Sequence, residues 1–206
     1  MPELAGPAAV RWGSAARITP GEAASGDLAV VRTVERGTLF GVVDGAGHGR
    51  EAARAAAIAR DVLDDLAGAP LPRLVRACHD ALASSRGVAM GIAFVPERAA
   101  QLTWLGVGRV HAAVLRGDGL GPRREQWLCT AGGEAGQVLP DLRADDVDLE
   151  RGDLLVLATD GVRATFAEFL GLAGSPQDIA RRIVERSWTE TDDAVALVAR
   201  YLGPTW

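Results

Sequence analysis

Phe40-Gly41-Val42-Val43-Asp44-Gly45-Ala46-Gly47-His48-Gly49 is the stretch that decides how this chain is read. An apolar run rich in Val and Phe has the composition of a buried strand. It ends in a carboxylate, continues as a loop with glycine at every second position, and gives way to a helical pattern from Arg50. Glycines let the backbone turn sharply and approach a ligand closely. Asp44 therefore stands where a sheet opens into a loop, a place that suits a hard metal cation or a ligand hydroxyl. A dinucleotide loop needs a third glycine at position 50 if Gly45 is the first. Arg50 is there instead, and the later half shows no repeated βαβ units, so that reading fails.

On either side of it, residues 10–18 read as an edge strand, and 28–34 and 39–43 as two strands joined by a hairpin at 35–38. Ala53, Ala56, Ala57, Ala59, Val62, Leu63 and Leu66 keep a helical period over 50–66. Gly68, Pro70 and Pro72 are read as its stop, and 74–82 as a second amphipathic helix. Strands follow at 88–95, 101–107, 110–115, 126–129 and 153–158, with Asp118-Gly119 as a plain turn. Short helices are expected at 165–170 and 177–188, the latter capped by Ser175 and Pro176, and a last strand at 194–201. Runs of strands alternating with runs of helices indicate an α+β fold, two antiparallel sheets packed together and covered by helices. No internal repeat or linker divides the 206 residues, so one domain over 1–206 is expected.

Composition narrows the function. A net charge of -5 argues against a nucleic-acid footprint, which needs a basic face. All 22 basic residues are Arg, which excludes Schiff-base, P-loop and kinase chemistry dependent on lysine. Cys78 and Cys129 match no metal-ligand spacing and read as two buried reduced thiols. The N-terminus lacks a basic start with an apolar core, and no apolar run approaches the ~18 residues of a membrane span. A reducing cytoplasm and a monomeric chain are the expectation.

Four acidic positions share one setting. Asp27 starts an apolar run, Asp44 and Asp160 end one and precede glycine, and Asp192 with Asp193 directly precedes another. Each sits where strand meets loop, so a folded sheet brings them to one edge. Clustered carboxylates repel and must be neutralised, which Mg2+ or Mn2+ does with oxygen ligands. Asp-Gly pairs are also ordinary turn residues; it is their joint occurrence that points to a metal site.

Here the chain resembles a known family. Gly26-Asp27, Val43-Asp44-Gly45-Ala46-Gly47-His48-Gly49, Gly152-Asp153-Leu154 with Thr159-Asp160-Gly161, and Asp192-Asp193 are similar to the ordered motifs of metal-dependent PPM (PP2C-type) serine/threonine phosphatases. The similarity is to the bacterial SpoIIE-like branch, and within it to the stand-alone, RsbX-like phosphatases of stressosome signalling. The resemblance implies a four-layer αββα sandwich with two Mn2+ or Mg2+ ions at one end. Asp44 would bridge both metals and the Gly45 carbonyl would bind one. Asp27 would serve one metal, partly through water, and Asp160 and Asp192 the other, with Asp193 as second choice to Asp192. It implies a phosphorylated protein substrate, STAS-domain proteins of a stressosome, with neither nucleic acid nor membrane as partner. The chain departs from the broader family at Ala46, where many members carry a histidine proposed as leaving-group acid. His48, two residues later, is the remaining candidate. Val195 stands where a Thr or Ser is usual. Arg17, Arg50 and Arg163 are candidate phosphate ligands by proximity to the motifs. A catalytically silent phosphatase-like binding module and a metal-dependent nucleotide phosphodiesterase stay open as alternatives.

Overall fold

A computed structural model describes residues 9–117 and 124–204. The expected Asp118-Gly119 turn lies outside them. Among the described residues, ten strands form two five-stranded antiparallel sheets. The first has the order β1-β10-β9-β6-β7, from β1 (Val10–Arg17), β6 (Val110–Arg116), β7 (Arg124–Trp127), β9 (Leu154–Thr159) and β10 (Ala194–Tyr201). The second has the order β2-β3-β4-β5-β8, from β2 (Asp27–Val34), β3 (Gly37–Gly45), β4 (Val88–Pro96), β5 (Gln101–Val107) and β8 (Asp145–Asp148). Phe40, Trp104, Leu157 and Leu197 belong to the core between the sheets. The helices α1 (Gly49–Asp65) and α2 (Leu71–Ala81) cover the second sheet, and α3 (Pro176–Ser187) with a 3-10 turn at Ala164–Phe169 covers the first. The result is the expected four-layer αββα arrangement.

The alternating burial of the strands explains the layering. In β6, Val110, Ala112 and Val114 join the core between sheets, while Ala113 and Leu115 pack under α3. Side chains one residue apart point to opposite faces, so a strand apolar at every position must be covered twice. Ala52, Ala55, Ala56 and Ala59 are fully buried along α1. Methyl groups keep that helix close to β3 and also favour the helix itself.

Five expectations change. Pro72 does not stop a helix: α2 begins at Leu71 with proline in its first turn, where the missing N–H would have had no partner anyway. The helix expected at 165–170 is a 3-10 turn. The strand expected at 126–129 ends at Trp127, and Cys129 is exposed while Cys78 is buried. Cys129 offers its carbonyl to the Trp104 indole N–H at 2.8 Å. The short acidic strand β8 was not expected. Finally, the carboxylates do not share one sheet edge, because two come from each sheet.

Candidate metal centre

Asp27 opens β2 and Asp44 nearly closes β3, and the two are direct partners across the antiparallel ladder. On the other sheet, β9 ends at Thr159, so Asp160 follows at once, and β10 begins directly after Asp192 and Asp193. β9 and β10 are antiparallel neighbours, which sets the end of one beside the start of the other. Both pairs reach the same end of the sandwich. Asp44, Asp160 and Asp192 line a cleft of about 500 Å³ together with Arg109, Glu134 and the backbone of Gly47.

Burial is the main electrostatic fact of this site. It holds the Asp44 carboxyl well above the ordinary range, and the like charges of Asp27, Asp160 and Asp192 push it further. Asp27 is raised for the same first reason, opposed by a hydrogen bond from Thr159. Asp192 is raised more weakly, again by burial first. The Asp27 Oδ2 atom is buried without a hydrogen-bond partner, a costly position for a carboxylate oxygen unless a cation meets it. Among the described residues no three acidic or imidazole side chains converge as a finished ligand shell.

The backbone around the site is steric in origin. A Cβ on Gly45 would lie 2.3 Å from the Ala52 carbonyl oxygen of α1. Only glycine lets the end of β3 touch the helix there. A Cβ on Gly161 would lie 1.8 Å from the Asp193 carbonyl oxygen, which explains the second Asp-Gly pair in the same way.

Two named candidates are placed differently from the rest. Asp193 is 1% exposed, and both its oxygens are engaged: Oδ1 accepts from the Thr19 amide at 2.7 Å and its hydroxyl at 3.0 Å, and Oδ2 accepts from the Gly26 amide at 2.6 Å. It ties β1's exit loop to the start of β2. Asp192, by contrast, accepts one bond, from the Asp193 amide at 2.9 Å, and reaches the cleft. His48 occupies the N-cap position of α1. Its exposed ring holds Glu22 through Nδ1 at 2.6 Å and does not line the cleft. Val195 keeps its local hydrogen bond, since its amide donates to the Thr159 hydroxyl at 2.9 Å.

Comparison with known proteins addresses the whole arrangement. The family model of Stage II sporulation protein E (SpoIIE) matches residues 35–202. The chain belongs to the SpoIIE family. Its fold is that of PP2C-type phosphatase domains. A protein described under "The bacterial stressosome: a modular system that has been adapted to control secondary messenger signaling" superposes with a TM-score of 0.81 at 28% identity, covering 93% of this chain and 99% of that one. RsbX in complex with magnesium superposes at 0.80 with 18% identity, covering 93% and 94%. The PP2C domain of SpoIIE from Bacillus subtilis gives 0.78 at 20%, covering 96% of this chain and 64% of that one. Curated protein sequences give no match.

Sequence reasoning about this SpoIIE-family domain missed two charged residues of the cleft, Glu134 and Arg109. Arg109 Nε lies 3.0 Å from Asp160 Oδ2. The proposed phosphate ligands Arg17, Arg50 and Arg163 are exposed and none lines the cleft. A signal existed. β4 starts opposite Gly45 and runs away from the site, so β5 must return to it, and the turn after β5 falls at the carboxylate end. His79 Nδ1 accepts from the Gly136 amide at 3.0 Å, and burial lowers the pKa of His111.

Proposed function

We propose that this domain hydrolyses phosphoserine or phosphothreonine on a protein partner, using two Mn2+ or Mg2+ ions. Asp44 would bridge them, with Asp27 and the Gly45 carbonyl on one side and Asp160 and Asp192 on the other. The observation that carries this reading is a cleft lined by Asp44, Asp160 and Asp192 from two sheets, with Asp27, the ladder partner of Asp44, holding a buried, partnerless oxygen beside it. The donors are all oxygens, the set that hard divalent cations select. When bound, such ions supply a water of lowered pKa for in-line attack on phosphorus.

The chain's own residues do the rest. Asp27 and Asp44 are held by the β2–β3 ladder, so their spacing is set before any ligand arrives. Asp193 acts as a positioning residue, fixing Gly26 and through it the start of β2. Asp192, not Asp193, is therefore the ligand of the final pair. His48 shapes the entry to α1 and holds Glu22, and it is not the leaving-group acid in this reading.

For the partner we infer phosphorylated STAS-domain proteins of a stressosome, met by a monomeric, single-domain enzyme in the cytoplasm. Likeness to RsbX and to the stressosome-associated structure supports this. No helix among the described residues is long and apolar enough to cross a membrane. The test is hydrolysis of p-nitrophenyl phosphate and of phosphorylated STAS-domain protein. EDTA should remove activity, Mn2+ should restore it, and Asp160→Asn should abolish it with an unchanged circular dichroism spectrum. Turnover that survives EDTA or Asp160→Asn would overturn the assignment.

A further inference from the structure

Gly108-Arg109 is the two-residue link by which the chain passes from one sheet to the other, since Val107 ends β5 and Val110 begins β6. The link is pinned. The Gly108 amide donates to the Ala131 carbonyl at 2.8 Å, and the Val110 amide to the Gly108 carbonyl at 3.2 Å. Gly108 has a φ of 83°, and a Cβ there would meet that of Ala89 at 2.6 Å, so a side chain at that position is strained twice over. The backbone of Arg109 is thus fixed while its side chain, 89% exposed, reaches over the cleft to Asp160 at 3.0 Å. Asp44, Asp160, Asp192 and Glu134 are the acids of the lining, and Arg109 is its single cation among the described residues.

An exposed ion pair is weak and readily exchanged. Arg109 has what exchange needs: a planar fork of donors that matches phosphate as well as carboxylate. A divalent cation at Asp160 neutralises the carboxylate and so removes the attraction for the guanidinium. A phosphate dianion entering the same cleft supplies a new one. We propose that Arg109 has two successive partners, serving as counter-cation to Asp160 before metal is bound and as ligand of the substrate's phosphoryl oxygens afterwards. The inference rests on the metal-dependent phosphatase reading above. It supplies the phosphate-binding arginine that Arg17, Arg50 and Arg163 do not.

Calorimetric titration of the full chain tests both halves, first with Mn2+ alone and then with inorganic phosphate on the Mn2+-loaded protein. Arg109→Ala should bind Mn2+ about two- to fivefold more tightly, because a competitor for Asp160 is gone. The same variant should bind phosphate about tenfold more weakly or worse. Arg109→Lys should fall between on phosphate, keeping the charge but losing the fork. In turnover, the loss should appear in KM for p-nitrophenyl phosphate more than in kcat. Equal phosphate affinity in wild type and Arg109→Ala overturns the phosphate role. Unchanged or weaker Mn2+ binding in that variant overturns the counter-cation role. Both are binding measurements, so they decide the matter even if the wild type shows no turnover, a result that would strike the phosphatase reading alone.

Discussion

Asp44→Asn should make the metal-free protein more stable while destroying its activity. Burial, then the charges of Asp27, Asp160 and Asp192, push the Asp44 carboxyl from 3.8 up to about 9. Its folded-state pKa lies above the unfolded value, so between the two the folded chain binds more protons than the unfolded one. Stability is then fully present below about pH 4 and is lost as pH rises towards the folded pKa. At 1.36 kcal/mol per unit, the stretch from pH 4 to pH 7 accumulates to about 4 kcal/mol for an isolated carboxyl. Relaxation and water entry reduce this, so asparagine should recover about 2–4 kcal/mol. In a chain of 206 residues that is a rise of about 5–15 °C in Tm. The assay is thermal unfolding in EDTA at pH 5, 6, 7 and 8. Wild-type Tm should fall across the series, the variant's curve should be flatter, and the gap should be widest at pH 8. Saturating Mn2+ should raise wild type much more than the variant. A variant less stable than wild type at pH 8 in EDTA, or a wild-type Tm flat from pH 5 to pH 8, would refute the reasoning.

Two further outcomes separate positioning from chemistry. Asp193→Ala removes the acceptor of three hydrogen bonds from Thr19 and Gly26 and should cost about 2–4 kcal/mol in urea unfolding. Normal stability with a selective loss of Mn2+ affinity would instead make Asp193 the ligand. His48→Ala should change kcat by far less than the ~100-fold that losing a general acid entails, because the ring is exposed on Glu22. A flattened alkaline limb of the pH–rate profile in that variant would contradict this.

The long strands and helices were legible because each buries a face, and burial imposes a period on the sequence. β8 was not. Its sequence Asp-Asp-Val-Asp puts one apolar side chain, Val147, into the core and leaves three acids outside. Such an edge strand is made by pairing with β5 more than by its own residues. Pro72 misled for a related reason, since proline breaks a helix interior but suits a first turn, and only the docking of Leu71 and Leu74 beneath α2 shows which applies.

At the candidate site, the types and order of the carboxylates could be read in the chain, because Asp44 and Asp160 each close an apolar run against glycine. The resemblance ranked Asp192 above Asp193, but the physical reason for that order could not be read there. The two are adjacent and chemically identical, and they part only because alternate residues at a strand's start face opposite ways, one to the cleft and one to Thr19 and Gly26. Arg109 is the other half of that lesson. Local sequence specifies strand, turn and carboxylate, since these follow from burial period and backbone sterics over a few residues. Which distant side chains then share one cleft, and how burial and like charge reset their protonation, depends on two sheets packing face to face with their carboxylate ends together, and that is settled by packing alone.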